Sequence, residues 1–205
     1  MSPHGSEILA GNARLTLARP GDAASREQVL GFIRQCFLDH FGAEVDDDSP
    51  TLVGAFDPDA GLVAAFGLRD AVSGFFCEQY LDRPLEQALR SQLARPVSRD
   101  QVVELTHLCA VRPGCLGQLA ALLPAALIGR GYRYLACTAT ACVGAYLIRK
   151  GLPAVHLGAA SASALPPGEA DRWGRYYEAD PRVLAGDLRQ ALAPQAGQAD
   201  IREAC

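Results

Sequence analysis

The sequence predicts an α/β or α+β fold in which helices flank a mixed central β-sheet. Two apolar runs on either side of the turn at residues 57–61, DPDAG, are typical of an antiparallel hairpin. Later in the chain a strand-like run, a helical run and a second strand-like run follow one another, as in a parallel βαβ unit. The chain has 205 residues, of which 49% are hydrophobic, and this is enough for one sizeable core. We therefore expect a single domain over residues 1–193 and a disordered tail over residues 194–205.

The N-terminal elements are a strand and a helix. Residues 13–20 alternate weakly between apolar and polar and predict the first strand. Ser25 and Gln28 have the spacing of a capping box, so we expect Ser25 to cap a helix that ends at Gly42. The apolar residues of this helix recur at helical spacing, and they are Val29, Phe32, Ile33, Cys36, Phe37 and Phe41. An acidic loop then leads into the hairpin over residues 51–71.

The middle of the chain predicts a second helix, which begins near Pro84, and then the βαβ unit. Its strands cover residues 101–111 and 132–139, and its helix covers residues 115–130. Pro124 falls inside that helix and lacks the N–H that the helix needs there, so we expect the helix to bend or divide.

The last third of the chain predicts one more helix and one more strand. Residues 140–151 predict a helix that ends at Gly151, and residues 152–158 predict the final strand. A turn, an aromatic patch and one C-terminal helix complete the chain.

Composition excludes several classes of function. The net charge of −4 and the lack of a basic run with interleaved aromatic residues argue against nucleic acid as a partner. The longest apolar run, at residues 119–129, is about half of the roughly 20 residues that a membrane span needs. We see no secretory signal and expect a cytoplasmic protein without stable membrane insertion. The seven cysteines include no CxxC pair, so we expect buried thiols and no metal site.

Four segments resemble, in the same order, segments of the thermostable hemolysin family. They are CEQYLDRPLEQAL (77–89), RPVSRDQVVELTHLCAVRPG (95–114), RGYRYLACTATACVGAYLIRKGLP (130–153) and DRWGRYYEADPRVLAGDL (171–188). The element order also resembles the GNAT superfamily of acyl-CoA-dependent acyltransferases, of which acyl-homoserine-lactone synthases are distant relatives. The resemblance implies a GNAT-like sheet in which two parallel strands, here 101–111 and 132–139, splay apart.

The resemblance also implies an acyl donor in the gap between these strands. The donor would be a thioester of coenzyme A or of the phosphopantetheine of an acyl-carrier protein, and its pantetheine arm would pair with the first strand at Leu108, Cys109 and Ala110. A pyrophosphate would lie at the following helix N-terminus, near Arg112, Gly114, Cys115, Leu116 and Gly117. Cys115 stands where the superfamily motif usually has glycine, so a plain strand-to-helix turn remains an alternative.

The polar residues of the apolar strand 101–111 are the candidate catalytic residues. Glu104 is the first candidate for the general base, because burial raises the pKa of a carboxyl group toward the neutral range. The alternative is a structural carboxylate paired with Arg95 or Arg99. His107 is the second candidate, but strand alternation places it on the opposite face, so one site can contain both only if a bulge intervenes. Cys109 shares the phase of His107, which leaves a Cys–His nucleophilic pair as a further alternative.

Other candidates follow from the resemblance. GNAT enzymes commonly use a tyrosine on the later helix as the acid, but Leu147 occupies that position and Tyr146 lies one residue away. Tyr146 is therefore a candidate acid or a packed aromatic residue.

The substrate-binding candidates lie on two segments. Glu78, Gln79 and Tyr80 are candidates for contact with the acceptor, with Asp82 nearby, or for helix capping and surface pairing. Thr138 on the second splayed strand is a further substrate-binding candidate. Trp173, Tyr176 and Tyr177 either close a lipophilic channel or anchor the last helix.

These patterns leave three functions open. The first is an N-acyltransferase that moves an acyl group from coenzyme A or an acyl-carrier protein to a small amine. The second is a membrane-active lysin, as the family name suggests. The third is a GNAT-like protein that binds acyl-CoA without catalysis.

Overall fold

The computed structural model describes residues 6–46, 49–149 and 154–192. The strands of this part of the chain are β1 (Glu7–Gly11), β2 (Thr16–Arg19), β3 (Thr51–Asp57), β4 (Gly61–Arg69), β5 (Val102–Ala110), β6 (Tyr134–Ala139), β7 (Ala154–Ala159) and β8 (Arg182–Asp187). They form one sheet in the order β1-β2-β3-β4-β5-β6-β8-β7. Only β5 and β6 pair in parallel, and the other neighbours are antiparallel. The predicted mixed sheet is therefore confirmed.

Helices cover both faces of this sheet. They are α1 (Ala23–Phe41), α2 (Leu85–Leu93), α3 (Cys115–Ile128), α4 (Ala141–Arg149), α5 (Glu169–Arg172) and α6 (Leu188–Leu192). On one face α1 packs on Ala65 and Cys109, and α2 packs on Val102. On the other face α3 and α6 pack on residues such as Leu105, and α4 approaches Leu184 through Gly144. We call these two sides the α1 face and the α3 face.

The ends of α1 confirm one prediction and correct another. Gly42 adopts φ 67°, a left-handed conformation that suits glycine, and ends the helix as predicted. The N-cap is Asp22 and not Ser25. The Asp22 carboxylate accepts a hydrogen bond from the Ser25 backbone N–H at 2.7 Å, and the Ser25 hydroxyl accepts one from the Asp22 backbone N–H. A capping box does form, but it lies three residues earlier because aspartate is as good a cap as serine.

Two strands escaped the sequence prediction. β1 is a short edge strand, and its Ile8 is 64% exposed, so it has little apolar patterning. The second is β8: the sequence predicts a turn, an aromatic patch and a helix after residue 158 and no strand, but β8 lies between β6 and β7 and pairs with both. Three consecutive residues of β8 are buried on both faces of the sheet, and such a run cannot be distinguished from a helix by periodicity. The strand at 154–159 is therefore not the last one.

The expected division of α3 at Pro124 is wrong. The helix runs without interruption from Cys115 to Ile128. Pro124 removes one backbone hydrogen bond, but Leu119, Leu123 and Leu127 are buried against the sheet on either side of it. Burial of this apolar face outweighs the missing bond.

The sheet opens between β5 and β6. The parallel pairing runs from Val102 opposite Tyr134 to Leu105 opposite Cys137. Beyond this point β5 continues along β4 as far as Ala110, whereas β6 continues along β8. The carboxyl-terminal ends of the two strands therefore diverge, and the predicted splay is confirmed.

The remaining predictions concern cysteines, membrane spans and chain ends. Six cysteines fall in the described residues and all are free thiols, of which Cys36, Cys77, Cys109 and Cys115 are buried. Within the same residues, no helix has the length and apolar character that a membrane crossing needs. The predicted tail at 194–205, the helix end at Gly151 and the start of the strand at 152 lie outside the described residues.

Candidate active site between two diverging strands

A cavity of about 210 Å³ lies at the point where β5 and β6 diverge. Its lining has two parts, one on each face of the sheet. The aromatic chamber, on the α1 face, is lined by Phe37, Phe41, Phe76, Tyr80, Trp173 and Tyr176. The aliphatic arm, on the α3 face, is lined by Leu119, Leu123, Leu135, Leu147, Leu184 and Leu188. The gap between the strands joins the two parts, so one elongated molecule can occupy both.

A β-bulge brings Glu104 and His107 to this cavity. Two residue steps in β4, from Ala65 to Gly67, face three steps in β5, from Cys109 to Thr106. The extra residue breaks the alternation of β5, and His107 takes up φ 51°, which is rare for a residue other than glycine. Both Glu104 and His107 consequently line the cavity, as the prediction of a single site required. Unusual backbone conformations of this kind cluster at functional sites.

The His107 ring is held on three sides. It stacks on Trp173 with the ring centroids 5.9 Å apart and the planes at 4°. The ring of Phe37 meets it at 5.6 Å in an edge-to-face arrangement. Nδ1 lies 3.4 Å from the Ser49 hydroxyl, which is itself 2.8 Å from the Thr106 hydroxyl. These contacts fix the ring plane and leave the imidazole on the cavity wall.

Gly67 makes room for the Ser49 and Thr106 hydroxyls. A Cβ atom at Gly67 would overlap both oxygen atoms. We expect Gly67→Ala to lower the free energy of unfolding by about 1–3 kcal/mol, because the buried hydroxyl pair must move. Urea denaturation measures the change.

Gly31→Ala is the matched control for Gly67→Ala. Gly31 lies on the exposed side of α1 with nothing within 4 Å of the added carbon. Alanine there should stabilise the protein by about 0.5–1 kcal/mol. Equal effects of the two substitutions would contradict the close packing around Ser49.

Glu104 is 1% exposed and binds backbone amides, not an arginine. Oε2 accepts a hydrogen bond from the Phe76 N–H at 2.6 Å, and Oε1 accepts one from the Cys77 N–H at 2.9 Å. Burial raises the pKa of Glu104 to about 7, although the two amide bonds lower it in part. The alternative of a pair with Arg95 or Arg99 is wrong.

The two arginines have other partners. Arg95 donates to Asp187 at 2.7 Å. Arg99 pairs with Glu78 and Glu86. Glu104 is thus bound to neither arginine. Through its bonds to the Phe76 and Cys77 N–H groups, its carboxylate fixes the 3₁₀ turn Phe76–Tyr80 over the chamber.

The structure does not support a Cys109–His107 pair. The Cys109 thiol donates to the carbonyl oxygen of Ala65 at 3.5 Å and packs beneath α1. It does not line the cavity, whereas His107 does.

The start of α3 contains the residues predicted to bind a pyrophosphate. Gly114 is the N-cap with φ 82°, which explains why glycine stands there. Cys115, the first helical residue, is fully buried. Leu116 lines the cavity. Arg112 pairs with Asp57 at the β3–β4 turn.

Tyr146 is not among the residues that line the cavity, but its hydroxyl lies close to the first turn of α3. An added Cβ at Gly117 would come within 3.0 Å of the Tyr146 hydroxyl, so Gly117 allows this approach. Leu147, the next residue of α4, lines the cavity.

Along β5, Leu108 also lines the cavity, and Ala110 pairs with Ala64 of β4. Cys109 pairs with Ala65 of the same strand, and neither Cys109 nor Ala110 is among the residues that line the cavity.

Among the residues 78–82, only Tyr80 lines the cavity. Its hydroxyl is 2.6 Å from that of Tyr177, and burial raises the pKa of Tyr80. Glu78 accepts from the Leu85 N–H at 2.8 Å and so caps α2, as the alternative interpretation proposed. Gln79 donates to the Phe76 carbonyl at 3.0 Å.

Asp82 pairs with the adjacent Arg83 at the surface. Glu78, Gln79 and Asp82 therefore lie outside the cavity lining, against the expectation of contact with the acceptor.

Thr138 lies on β6 immediately after the last β5–β6 pair. Its hydroxyl oxygen is buried and has no hydrogen-bond partner among the described residues. The Tyr176 hydroxyl donates to the Thr138 carbonyl at 3.2 Å. A buried hydroxyl without a partner on a cavity wall suits a polar group of a ligand.

Two residues of the site were missed by sequence reasoning or assigned too broadly. Ser49 follows an acidic loop and has no pattern that marks it. For Tyr176 the sequence left two roles open, a channel wall or an anchor for the last helix; the residue lines the cavity, and its hydroxyl binds β6.

Solved structures with a similar fold include three acyl-transferring enzymes. FeeM, an N-acyl amino acid synthase from uncultured soil microbes, is 13% identical, with a TM-score of 0.60 over 87% of this chain and 92% of that chain. The acyl-homoserine-lactone synthase LasI is 15% identical, with a TM-score of 0.55 over 97% and 100% of the two chains. The CoA-dependent acyl-homoserine lactone synthase BjaI, solved with SAM and isopentyl-CoA, is 16% identical, with a TM-score of 0.52 over 92% and 86%. At these identities the likeness shows a shared GNAT-like fold.

Comparison with curated proteins gave no match. The sequence does match the family described as thermostable hemolysin, over residues 20–192. This range contains every strand from β3 to β8 and all the residues that line the cavity. The chain therefore belongs to the thermostable hemolysin family.

Proposed function

We propose that the protein is an acyltransferase that moves an acyl group from a thioester of coenzyme A or of an acyl-carrier protein to a small amine. The observation that carries the proposal is the gap beyond Leu105 and Cys137, which opens into an apolar cavity with His107 on its wall. The two donors share a pantetheine arm that ends in a thioester. Beyond Leu105 and Cys137 the facing edges of β5 and β6 no longer pair with each other. An extended pantetheine can form hydrogen bonds with the backbone groups that this leaves available.

The donor would enter at the start of α3. First-turn amides, such as those of Leu116 and Gly117, lack acceptors within their own helix and favour an anion. The Tyr146 hydroxyl lies beside Gly117 and is placed to bind the donor at the same end. The Thr138 hydroxyl is placed to bind an amide or the thioester carbonyl further into the gap.

We propose His107 as the general base. Acceptor amines are mostly protonated at neutral pH, and attack on the thioester carbonyl forms a C–N bond while the C–S bond breaks. His107 would take the proton of the amine, and the departing thiolate would be protonated as it leaves. The Ser49 and Trp173 contacts hold the ring ready for this transfer.

Glu104 has a different role in this proposal. Both of its oxygens already accept backbone hydrogen bonds, and it is almost completely buried, so it holds the Phe76–Tyr80 turn against the chamber. The sequence analysis ranked Glu104 before His107 as the general base. Glu104 is 1% exposed, whereas His107 is partly exposed, and this supports the reverse order.

The experiment that tests the function has a binding step and a turnover step. The purified protein is mixed with acetyl-, octanoyl- and dodecanoyl-CoA and with the corresponding acyl-carrier proteins, and the Tm is measured. A donor at 100 times its Kd should stabilise the folded state by about 2.7 kcal/mol. Free thiol release in the presence of a panel of primary amines then reports transfer.

The other two functions predict different results. A Tm shift without thiol release or N-acyl product would support a non-catalytic binder. Dye release from liposomes by the protein alone would support a lysin. No Tm shift with any donor would overturn the acyltransferase proposal.

A further inference from the structure

The aliphatic arm has a direction that the strand register defines. The gap opens at Thr138, beyond the last β5–β6 pair, but the lining continues backward along β6 to Leu135. It then reaches Leu188 and Ala191 of α6, which packs on α3 beside the start of β6. The arm therefore runs under the paired part of the sheet, away from the start of α3.

No ionisable carboxylate or basic side chain from the described residues points into this arm. Asp187 belongs to the lining, but its carboxylate accepts from Arg95 at 2.7 Å and from Arg133 at 3.3 Å on the α1 face, beside Tyr134. Glu104 is directed to the α1 face as well, because its partner is the Phe76–Tyr80 turn. The rest of the lining on this face is apolar, with leucines, small residues, Pro124 and Phe66. The Cys137 thiol is neutral as well, because burial raises its pKa to about 12.

The length of the arm sets the size of its occupant. A strand rises about 3.3 Å per residue, so the steps from Thr138 to Leu135 span roughly 10 Å. A carbon–carbon bond is about 1.5 Å long and an extended alkyl chain advances somewhat less per bond, so roughly eight carbons fill this distance. An acetyl group would leave most of the arm empty.

We infer that the aliphatic arm is an acyl-tail pocket and that the donor is a medium- or long-chain fatty acyl thioester of about eight carbons or more. The inference rests on the proposed function, because the thioester must lie in the gap for its tail to enter the arm. The aromatic chamber on the opposite face is then left to the amine. Donor and acceptor meet at the gap from the two sides of the sheet.

Binding measurements with acetyl-CoA and octanoyl-CoA test the inference without knowledge of the acceptor. Each buried methylene group tightens binding about fourfold, so octanoyl-CoA should bind at least 100-fold more tightly than acetyl-CoA. Ala191→Phe fills the end of the aliphatic arm. It should reduce the ratio of the Kd for acetyl-CoA to the Kd for octanoyl-CoA at least tenfold without raising the Kd for acetyl-CoA. Gln190→Phe adds the same ring to the exposed side of α6 and should leave both Kd values unchanged. Leu123→Phe on the facing wall of α3 replaces Ala191→Phe if that variant does not fold.

The outcomes separate the inference from the proposed function. Equal affinity for acetyl-CoA and octanoyl-CoA, or equal weakening of both by Ala191→Phe, would overturn the acyl-tail pocket while thioester binding stands. Failure of every thioester to bind, as CoA or as free acyl-pantetheine, would overturn the proposed function itself. Retention of the chain-length preference in both Ala191→Phe and Leu123→Phe would place the tail elsewhere.

Discussion

Replacement of His107 by Asn is expected to lower kcat for acyl transfer by about 10²–10⁴-fold, the usual contribution of a general base. Asparagine is chosen because it tolerates the left-handed backbone that position 107 requires, at φ 51°. It also keeps a hydrogen-bond donor on the cavity wall, while it removes the titratable nitrogen and the ring contacts with Trp173 and Phe37. The Tm shift produced by octanoyl-CoA should be unchanged, since the donor is held by the strands and by α3.

The control for this variant is His156→Asn. His156 lies on the exposed side of β7 and should tolerate the change without loss of activity. A His107→Asn enzyme with wild-type kcat would show that position 107 supplies a hydrogen bond and not a base.

Replacement of Glu104 by Gln is expected to change the pH dependence of stability. A carboxyl group with a pKa of about 7 in the folded protein and 4.5 in the unfolded chain keeps its proton up to a higher pH in the folded state. The folded state binds more protons between these values, so this group's contribution to stability falls as pH rises from about 4.5 to 7. The loss amounts to about 3 kcal/mol, at 1.36 kcal/mol for each pKa unit.

Urea denaturation of both proteins between pH 5 and pH 8 measures this effect. At pH 5 the variant should be less stable than the wild type by about 1–3 kcal/mol, because the Gln amide group opposes one of the two backbone N–H groups. Toward pH 8 the difference should shrink or change sign. Glu27→Gln on the exposed surface of α1 should follow the wild type throughout. Parallel curves for Glu104→Gln and wild type would contradict the raised pKa.

The same variant also tests the division of roles between the two polar residues of β5. If His107 is the base, Glu104→Gln should keep activity within about tenfold at a pH where it is folded. A loss of 10³-fold in a folded Glu104→Gln protein, together with an active His107→Asn protein, would restore Glu104 as the base. The two substitutions therefore give opposite patterns under the two assignments.

The sequence was sufficient for those parts of the fold that local patterns encode. The residues DPDAG at 57–61 form the turn between β3 and β4, as their turn preference predicts. Gly42 ends α1 because this position needs a left-handed backbone conformation. β8 could not be recognised, because a strand buried on both faces lacks alternation and its place between β6 and β7 depends on long-range pairing. The splay of β5 and β6 came from the family resemblance and not from any local pattern.

The site was predictable to the extent that polar residues stand in an apolar strand. Glu104 and His107 were found in this way, since a buried polar group needs a partner or a function. The partner of Glu104 was not predictable, because a backbone N–H of a distant turn carries no residue-specific signal. Ser49 was missed for a similar reason, since its contact with His107 joins positions 58 residues apart.

A crystal structure with a thioether analogue of octanoyl-pantetheine, in which the scissile carbonyl is replaced by methylene, tests the central claim most directly. Pantetheine is common to coenzyme A and to acyl-carrier proteins, so the result does not depend on which of the two is the donor. We expect density for the pantetheine between β5 and β6, with its sulfur near His107 and its alkyl tail toward Leu135 and Ala191. Density for the ligand elsewhere on the protein, with the space between the two strands filled by side chains, would contradict the proposal.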